Sequence, residues 1–388
     1  MTALLVKLFI KNPDNIKDPA VREKYGLLSG VVGIILNLLL SAGKFLAGMA
    51  TSSISITADA LNNLTDAASS VVTLVGFRLA GQKADADHPF GHGRMEYLSG
   101  LLVSLIILLV GFELLKSSVE KILHPEEVAF SWVSVAILAA SICVKLWMSL
   151  FNRGLSRRIG SAAMAATATD SLSDVVATSA VLAGVLVGRF TGLHIDGFVG
   201  IVVAVFILRA GWGAAKDTLN PLLGQPPDPD LVTEIRRTVL AHDQVVGIHD
   251  LIIHDYGPGR SMMSLHAEVP VDADIMEVHD VIDGIEREIK AKFGIETSIH
   301  MDPIVTNDAH VNEVKAQVAE LVRGVDEGMT IHDFRMTVGP RHTNLIFDVV
   351  VPHSCTLTDD QVRQRISHAV KELENTYYAV IQIDRSFV

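Results

Sequence analysis

The sequence predicts a membrane α-helical domain of six transmembrane helices, followed by a soluble α+β domain of αββαβ type that is built twice. Three observations carry this reading. The 388 residues are 49% hydrophobic with a mean hydropathy of +0.38, too apolar for an ordinary soluble chain of this length. The apolarity is concentrated before about residue 216, after which charged residues and strand-like alternation take over. In the later part short segments then recur: Ile248-His249-Asp250 as Ile331-His332-Asp333, Val269-Pro270 as Val351-Pro352, and Ile299-His300-Met301-Asp302 as Ile381-Gln382-Ile383-Asp384. The expected division is an N-terminal segment over 1–24, a membrane domain over 25–216, a first soluble unit over 217–304 and a second over 305–388.

Met1 to Lys24 is polar with interspersed lysines, so no cleavable signal peptide is expected and the first span acts as the insertion signal. Segments long enough to cross about 30 Å of hydrocarbon lie near 27–49, 54–80, 97–117, 130–150, 162–188 and 195–215. Six spans place both termini on one side. Lys7, Lys11, Lys17, Arg22 and Lys24 precede the first span, Lys83 and Arg94 follow the second, and Arg153, Arg157 and Arg158 follow the fourth, whereas the opposite loops offer little beyond Lys121 and Arg189. The positive-inside rule then makes both termini and the soluble domain cytoplasmic.

Pro221, Pro226, Pro227 and Pro229 are expected to end the sixth helix and stiffen the connection. Beyond them the periodicities give a helix over 231–241, strands over 246–255 and 262–269 around the Gly257-Pro258-Gly259 turn, a helix over 275–292 and a strand over 296–301. The same order follows over 311–384. The net charge of −12 falls largely in this part, which argues against nucleic acid and suits cations. Cys143 and Cys355 lie in different domains and form no CxxC pair, so neither a disulfide framework nor a thiolate metal site is indicated.

The membrane part carries two polar stripes. Asp59, Asn62 and Asp66 stand at i, i+3 and i+7, and Asp170 and Asp174 at i and i+4, so each set shares a helix face. Ionisable side chains in a span cost about 2.5 to 3.5 kcal/mol each on insertion scales and mark ion or proton paths. Asn62, Asp66, Asp170 and Asp174 form an all-oxygen set that suits Mn2+ better than Zn2+ or Cu+. Simple polar contacts between helices are the alternative. For Asn62 alone the two readings stand level; three carboxylates would repel one another without a cation or protons. Asp85, His88 and His92 in the second-to-third loop could bind a metal, although spacing alone favours a solvated loop. His249, His266, His279, His300 and Asp302 could form a binuclear site in the first soluble unit, against the alternative of ordinary surface histidines. His300 and Asp302 point to one strand face, which favours metal.

These residues resemble the cation diffusion facilitators over positions from about 26 to 303. The most specific parts are Asn62-x-x-x-Asp66, Asp170-x-x-x-Asp174, the Asp85–His92 loop with Phe90-Gly91-His92-Gly93, and Ile299-His300-Met301-Asp302. The resemblance implies a six-span, proton-coupled exporter of divalent metals whose cytoplasmic ferredoxin-like domain dimerises. It implies that Asn62, Asp66, Asp170 and Asp174 are the transport ligands, in a set similar to that of the bacterial manganese exporters, since zinc members carry a histidine there. It also makes Asp85, His88 and His92 a loop site and His249, His266, His279, His300 and Asp302 a cytoplasmic binuclear site. Two features depart from the family. Arg94 lacks the acid that would pair with it, because Gly224 stands there. The unit after about residue 306 lies outside the pattern, and with Asp348, Gln361 and Gln382 replacing histidines it reads as a structural or regulatory copy. The expected protein is a homodimeric Mn2+/H+ antiporter of the cell membrane, in contact with lipid. A Fe2+, Co2+ or Zn2+ exporter is the rival within the class and a membrane-anchored metal sensor the rival outside it; an enzyme is not expected, because no nucleophile–base pair or phosphate loop stands out.

Overall fold

The computed structural model describes residues 2–16, 18–51, 54–124, 131–191, 196–339 and 341–385. The chain forms two units, Met1–Gln225 with Asp255–Arg260, and Pro226–His254 with Ser261–Val388. The first contains α1 (Thr2–Phe9), α2 (Pro19–Thr51), α3 (Ile54–Ala80), α4 (Met95–Leu123), α5 (Trp132–Ile159), α6 (Ala162–Thr191) and α7 (Asp196–Leu223). Among the described residues five helices, α2 and α4 to α7, are long and apolar enough to cross a membrane. At 27 residues α3 is about 40 Å long, also sufficient, but its polar stripe lowers its hydropathy.

Side-chain distribution along α4 is the inverse of that in a soluble helix. Ser99, Gly100, Ser104, Gly111 and Ser118 are buried, while Leu98, Leu102, Leu105, Leu109 and Phe112 are exposed. Small residues inside let helices approach closely, and large apolar ones outside meet lipid. The buried ion pair of Arg22 with Glu96, at 3.1 Å, joins α2 to α4. The segment over 1–24 is not simply polar: α1 packs Val6 against Tyr25, Phe151 and Leu155 in one apolar cluster, because Leu4 to Phe9 makes a short amphipathic run. Pro221 does not end α7, which carries it two residues before its last, Leu223. The stop is Gly224, at φ 84°, where a left-handed residue closes the helix.

The second unit contains α8 (Pro229–Val239), β1 (Gly247–Asp255), β2 (Ser261–Pro270), α9 (Ile275–Phe293) and β3 (Glu296–Ile304), then α10 (Ala309–Val325), β4 (Thr330–Val338), β5 (Thr343–Val351), α11 (Asp359–Leu373) and β6 (Tyr377–Arg385). The helix-strand-strand-helix-strand order thus occurs twice. Two three-stranded sheets result, β1-β2-β3 and β4-β5-β6. Side-chain caps on Asp228, Asp274, Asp308 and Thr358 start the four helices, each worth about 1 kcal/mol. Alternate residues build the cores, as in β5, where Leu345, Phe347, Val349 and Val351 are buried. Parallel pairing sets His266 beside His300 and Asp348 beside Gln382. Asp250 and Asp333, each following a histidine, hold φ of 48° and 53°. Non-glycine residues seldom adopt this conformation, and in β4 it coincides with a break in register between His332 and Arg335.

Candidate metal centres

Inside the helical unit, Asp66 on α3 and Asp174 on α6 converge on one group that the sequence reading missed. The ammonium of Lys145, on α5, lies 2.7 Å from Asp66 Oδ2 and 2.7 Å from Asp174 Oδ2, with its side chain 3% exposed. Asp170, one turn before Asp174, feels the charges of Asp66, Asp174 and Lys145. Hydroxyls fix the helices around them: Thr73 and Thr167 join α3 to α6 at 3.0 Å, and Ser149 donates to the Ala168 carbonyl at 2.8 Å, joining α5 to α6. Asn62 is exposed, and among the described residues it is the neighbouring Asn63 that reaches the carboxylates. With its amide turned to satisfy both partners, buried Asn63 donates to Asp66 Oδ2 at 3.3 Å and accepts from Lys44 Nζ at 2.8 Å. The side chain of Asp59 lies outside the described residues.

The loop after α3 brings its three expected residues together. Asp85 Oδ1 accepts the His88 backbone N–H at 2.7 Å, which holds the carboxyl below the usual range. Its two oxygens lie 3.3 Å from His88 Nδ1 and 3.5 Å from His92 Nε2. His92 Nδ1 is buried without a hydrogen bond among the described residues. The tip Asp255–Arg260 supports this loop: Phe90 stacks on Tyr256 with centroids 4.3 Å apart, and a β carbon on Gly257 would run into the Gly93 carbonyl carbon, so both segments need glycine there. Arg94 finds its partner in the same tip, donating to the Asp255 carbonyl at 2.7 and 3.0 Å.

In the second unit, His249 Nε2 and His266 Nδ1 stand 3.2 and 2.8 Å from Asp302 Oδ2, and His300 Nε2 stands 3.4 Å from Asp302 Oδ1. Atoms of His249, His266 and Asp302 lie within 4.8 Å of one another and are able to converge on one ion with bonds of about 2.1 Å, while His300 approaches the other oxygen of Asp302. His279 is exposed on α9 and, among the described residues, joins no metal-competent group. The reason is local: α9 packs Val278, Ile282, Ile285 and Ile289 into the core, which turns position 279 outward. A further residue does join the cluster, since the ring of His332 stacks on that of His249 with centroids 3.9 Å apart. Burial opposes charge on His249, but the carboxylate of Asp250, 3.3 Å from Nδ1, outweighs it and raises its pKa. Burial and then the nearby His249 hold His332 below the usual histidine value. Among the described residues neither histidine's ring nitrogens have a hydrogen-bond partner, which fits side chains shaped to ligate rather than to cap. Burial, then the carboxylates of Asp384, Asp333 and Asp250, pushes the Asp348 carboxyl up to about 6.

Carboxylates gathered among lipid-facing helices, and imidazoles gathered with carboxylates on a sheet, define a membrane protein that handles divalent cations. The comparisons agree. Residues 30–223 match the cation efflux transmembrane domain and residues 227–304 the cation efflux protein cytoplasmic domain. The chain therefore belongs to the cation efflux, or cation diffusion facilitator, family, whose members are transporters of divalent metal ions and not enzymes. It is 29% identical over 273 residues to an uncharacterized transporter of Methanocaldococcus jannaschii, covering 70% of this chain and 96% of that protein. It is 29% identical over 282 residues to the manganese efflux system protein MneS of Bacillus subtilis, covering 72% and 97%. It is 28% identical over 276 residues to a cadmium, cobalt and zinc/H(+)-K(+) antiporter of Bacillus velezensis, covering 70% and 86%.

Proposed function

We propose that this chain exports Mn2+ across the cell membrane in exchange for protons, by alternating access, with both termini in the cytoplasm and two copies joined through the cytoplasmic unit. Asp66, Asp170 and Asp174 hold the transported ion, with an amide oxygen from Asn62 or Asn63 completing an oxygen-rich set that Mn2+ favours. The observation that carries the reading is the Lys145 ammonium held by two intramembrane carboxylates. A metal needs those same oxygens, and two cations cannot share them at such distances in a low-dielectric interior. Metal, protons and the tethered ammonium thus compete for one set of ligands. The ion leaves when protons and Lys145 retake the carboxylates, and this competition couples export to proton entry. The manganese efflux name of a relative supports Mn2+; the name of the Bacillus velezensis antiporter favours Zn2+ or Co2+ as the second reading. The loop set at Asp85, His88 and His92 takes metal on the way in, and the histidine cluster of the second unit responds to metal supply. Residues 305–388 are an internal duplicate of the unit before them.

Inverted membrane vesicles carrying the protein and a pH-sensitive dye test the proposal. Mn2+ should accumulate ahead of Zn2+, Co2+ and Fe2+, and the lumen should lose protons as it does so. Accumulation without a pH change would remove the antiport, and faster Zn2+ than Mn2+ uptake would remove the assignment of the ion.

A further inference from the structure

We infer that the second αββαβ unit has a divalent-metal site of its own, formed by His332, Asp348 and Asp384. The matches to the family end at residue 304, and by residue identity the later unit keeps only His332 of the four matching histidines. By position it has kept its donors. His332 stands where the first αββαβ repeat has His249, Asp348 where it has His266, and Asp384 where it has Asp302, as the recurring segments and the two parallel registers require. Donor atoms of His332, Asp348 and Asp384 all lie within 4.8 Å of one another. His332 Nε2 is 3.6 Å from Asp384 Oδ2 and 3.8 Å from Asp250 Oδ1, a fourth donor contributed by the first αββαβ repeat.

Burial distinguishes this group from a solvated acidic patch. The side chain of His332 is 7% exposed, and neither of its ring nitrogens nor Asp384 Oδ2 makes a hydrogen bond among the described residues. Buried polar atoms left without partners cost about 1 to 3 kcal/mol each. A cation between them would satisfy the imidazole nitrogen and both carboxylates together. The positive-φ aspartate after each histidine, Asp250 and Asp333, and the register break in β4 turn the imidazole toward the carboxylates, since irregularities of this kind re-aim side chains. The donor sets also differ: His249, His266 and Asp302 offer two nitrogens and an oxygen, whereas His332, Asp348 and Asp384 offer one nitrogen and two oxygens. The second set is the harder, so it should prefer Mn2+ or Fe2+ where the first tolerates Zn2+.

The test uses the full-length protein in detergent, with Mn2+ and Zn2+ as probes. Asp348→Asn and Asp384→Asn should each bind one Mn2+ fewer per chain than the parent by elemental analysis after desalting, and Zn2+ should compete poorly for the ion that is lost. An anomalous map from crystals grown with Mn2+ should have a peak between His332 Nε2, Asp348 and Asp384. Variants that bind as much Mn2+ as the parent, or a map without that peak, would overturn the inference. If either variant fails to fold, the map of the parent protein decides alone.

Discussion

The carboxylates among the helices and the histidine cluster on the sheets solve the same chemical problem under opposite constraints. On the sheets, His266 and His300 reach solvent, so water can solvate these donors when no ion is bound. Among the helices that recourse is missing. There the protein supplies its own counter-charge, and Lys145 pairs with the Asp66 and Asp174 oxygens that the proposed ion would use. A site in water can wait as bare ligands, while a site in lipid has to be filled by something at every stage. On this view the resting cation of the transport site is part of the chain.

The strongest way to break the contrast is to remove the intramembrane carboxylates one at a time. Asp66→Ala, Asp170→Ala and Asp174→Ala should each reduce Mn2+ uptake in vesicles to the level of membranes lacking the protein. If two of these three still moved Mn2+ near the parent rate, the transport site would lie elsewhere. Next in size is Lys145→Met, which leaves Asp66 and Asp174 without their ammonium. Loss of one partner from a buried ion pair costs about 3 to 5 kcal/mol, so the melting temperature in detergent should fall. Saturating Mn2+ should return much of it, since ligand at about 100 times its dissociation constant contributes about 2.7 kcal/mol. A Mn2+-induced rise no larger in Lys145→Met than in the parent would show that metal and lysine use different oxygens.

Much of this was legible in the sequence, and what was not has identifiable physical reasons. Aspartates in an apolar run announce themselves, because burying them is costly, and the soluble elements followed from periodicity and from proline and glycine positions. Lys145 was equally visible, a charge within the Ala136–Trp147 stretch of a span. Its partners were not, because pairing between α3, α5 and α6 depends on how helices are rotated. The position of His279 outside the cluster was hidden for a related reason: membership of a histidine-rich unit does not say which face of a helix looks inward. Asp348 and Asp384 were passed over because the comparison of the two units tracked histidine identity, when what matters to a metal is a donor at the right place. The Leu4–Phe9 run was hidden by the lysines around it.

The sheet cluster should respond more mildly, which sharpens the contrast. His266→Ala with His300→Ala removes donors around Asp302 without touching the helices. The full-length double variant should lose part of its Zn2+-dependent thermal stabilisation and slow Mn2+ uptake without abolishing it. Complete loss of transport would put these histidines on the ion's path. His279→Ala is the matched control, expected within about 0.5 kcal/mol of the parent because it is an exposed position, with metal stabilisation unchanged.

The smallest effect concerns which asparagine completes the intramembrane set. Positions three and four residues back both flank Asp66 on a helix of 3.6 residues per turn, so spacing admits Asn63 and Asn62 alike. Asn63 is buried at 3% and reaches both Asp66 and Lys44 through its amide, while Asn62 is exposed. An amide oxygen is a hard donor that does not titrate, whereas an imidazole offers a softer nitrogen that suits Zn2+ and takes a proton near neutral pH. Histidine at the position that touches the ion should therefore shift the ratio of Mn2+ to Zn2+ transport toward Zn2+, and histidine at the other should leave the ratio alone. Because both rates come from one vesicle preparation, differences in expression cancel. A shift in Asn62→His alone would mean that α3 turns its Asn62 face to the ion in a transporting conformation. A shift in Asn63→His alone would place the ligand on the face that already holds Asp66 and Lys44. No shift in either would leave selectivity to the three carboxylates and Lys145, and would remove the amide from the argument for Mn2+.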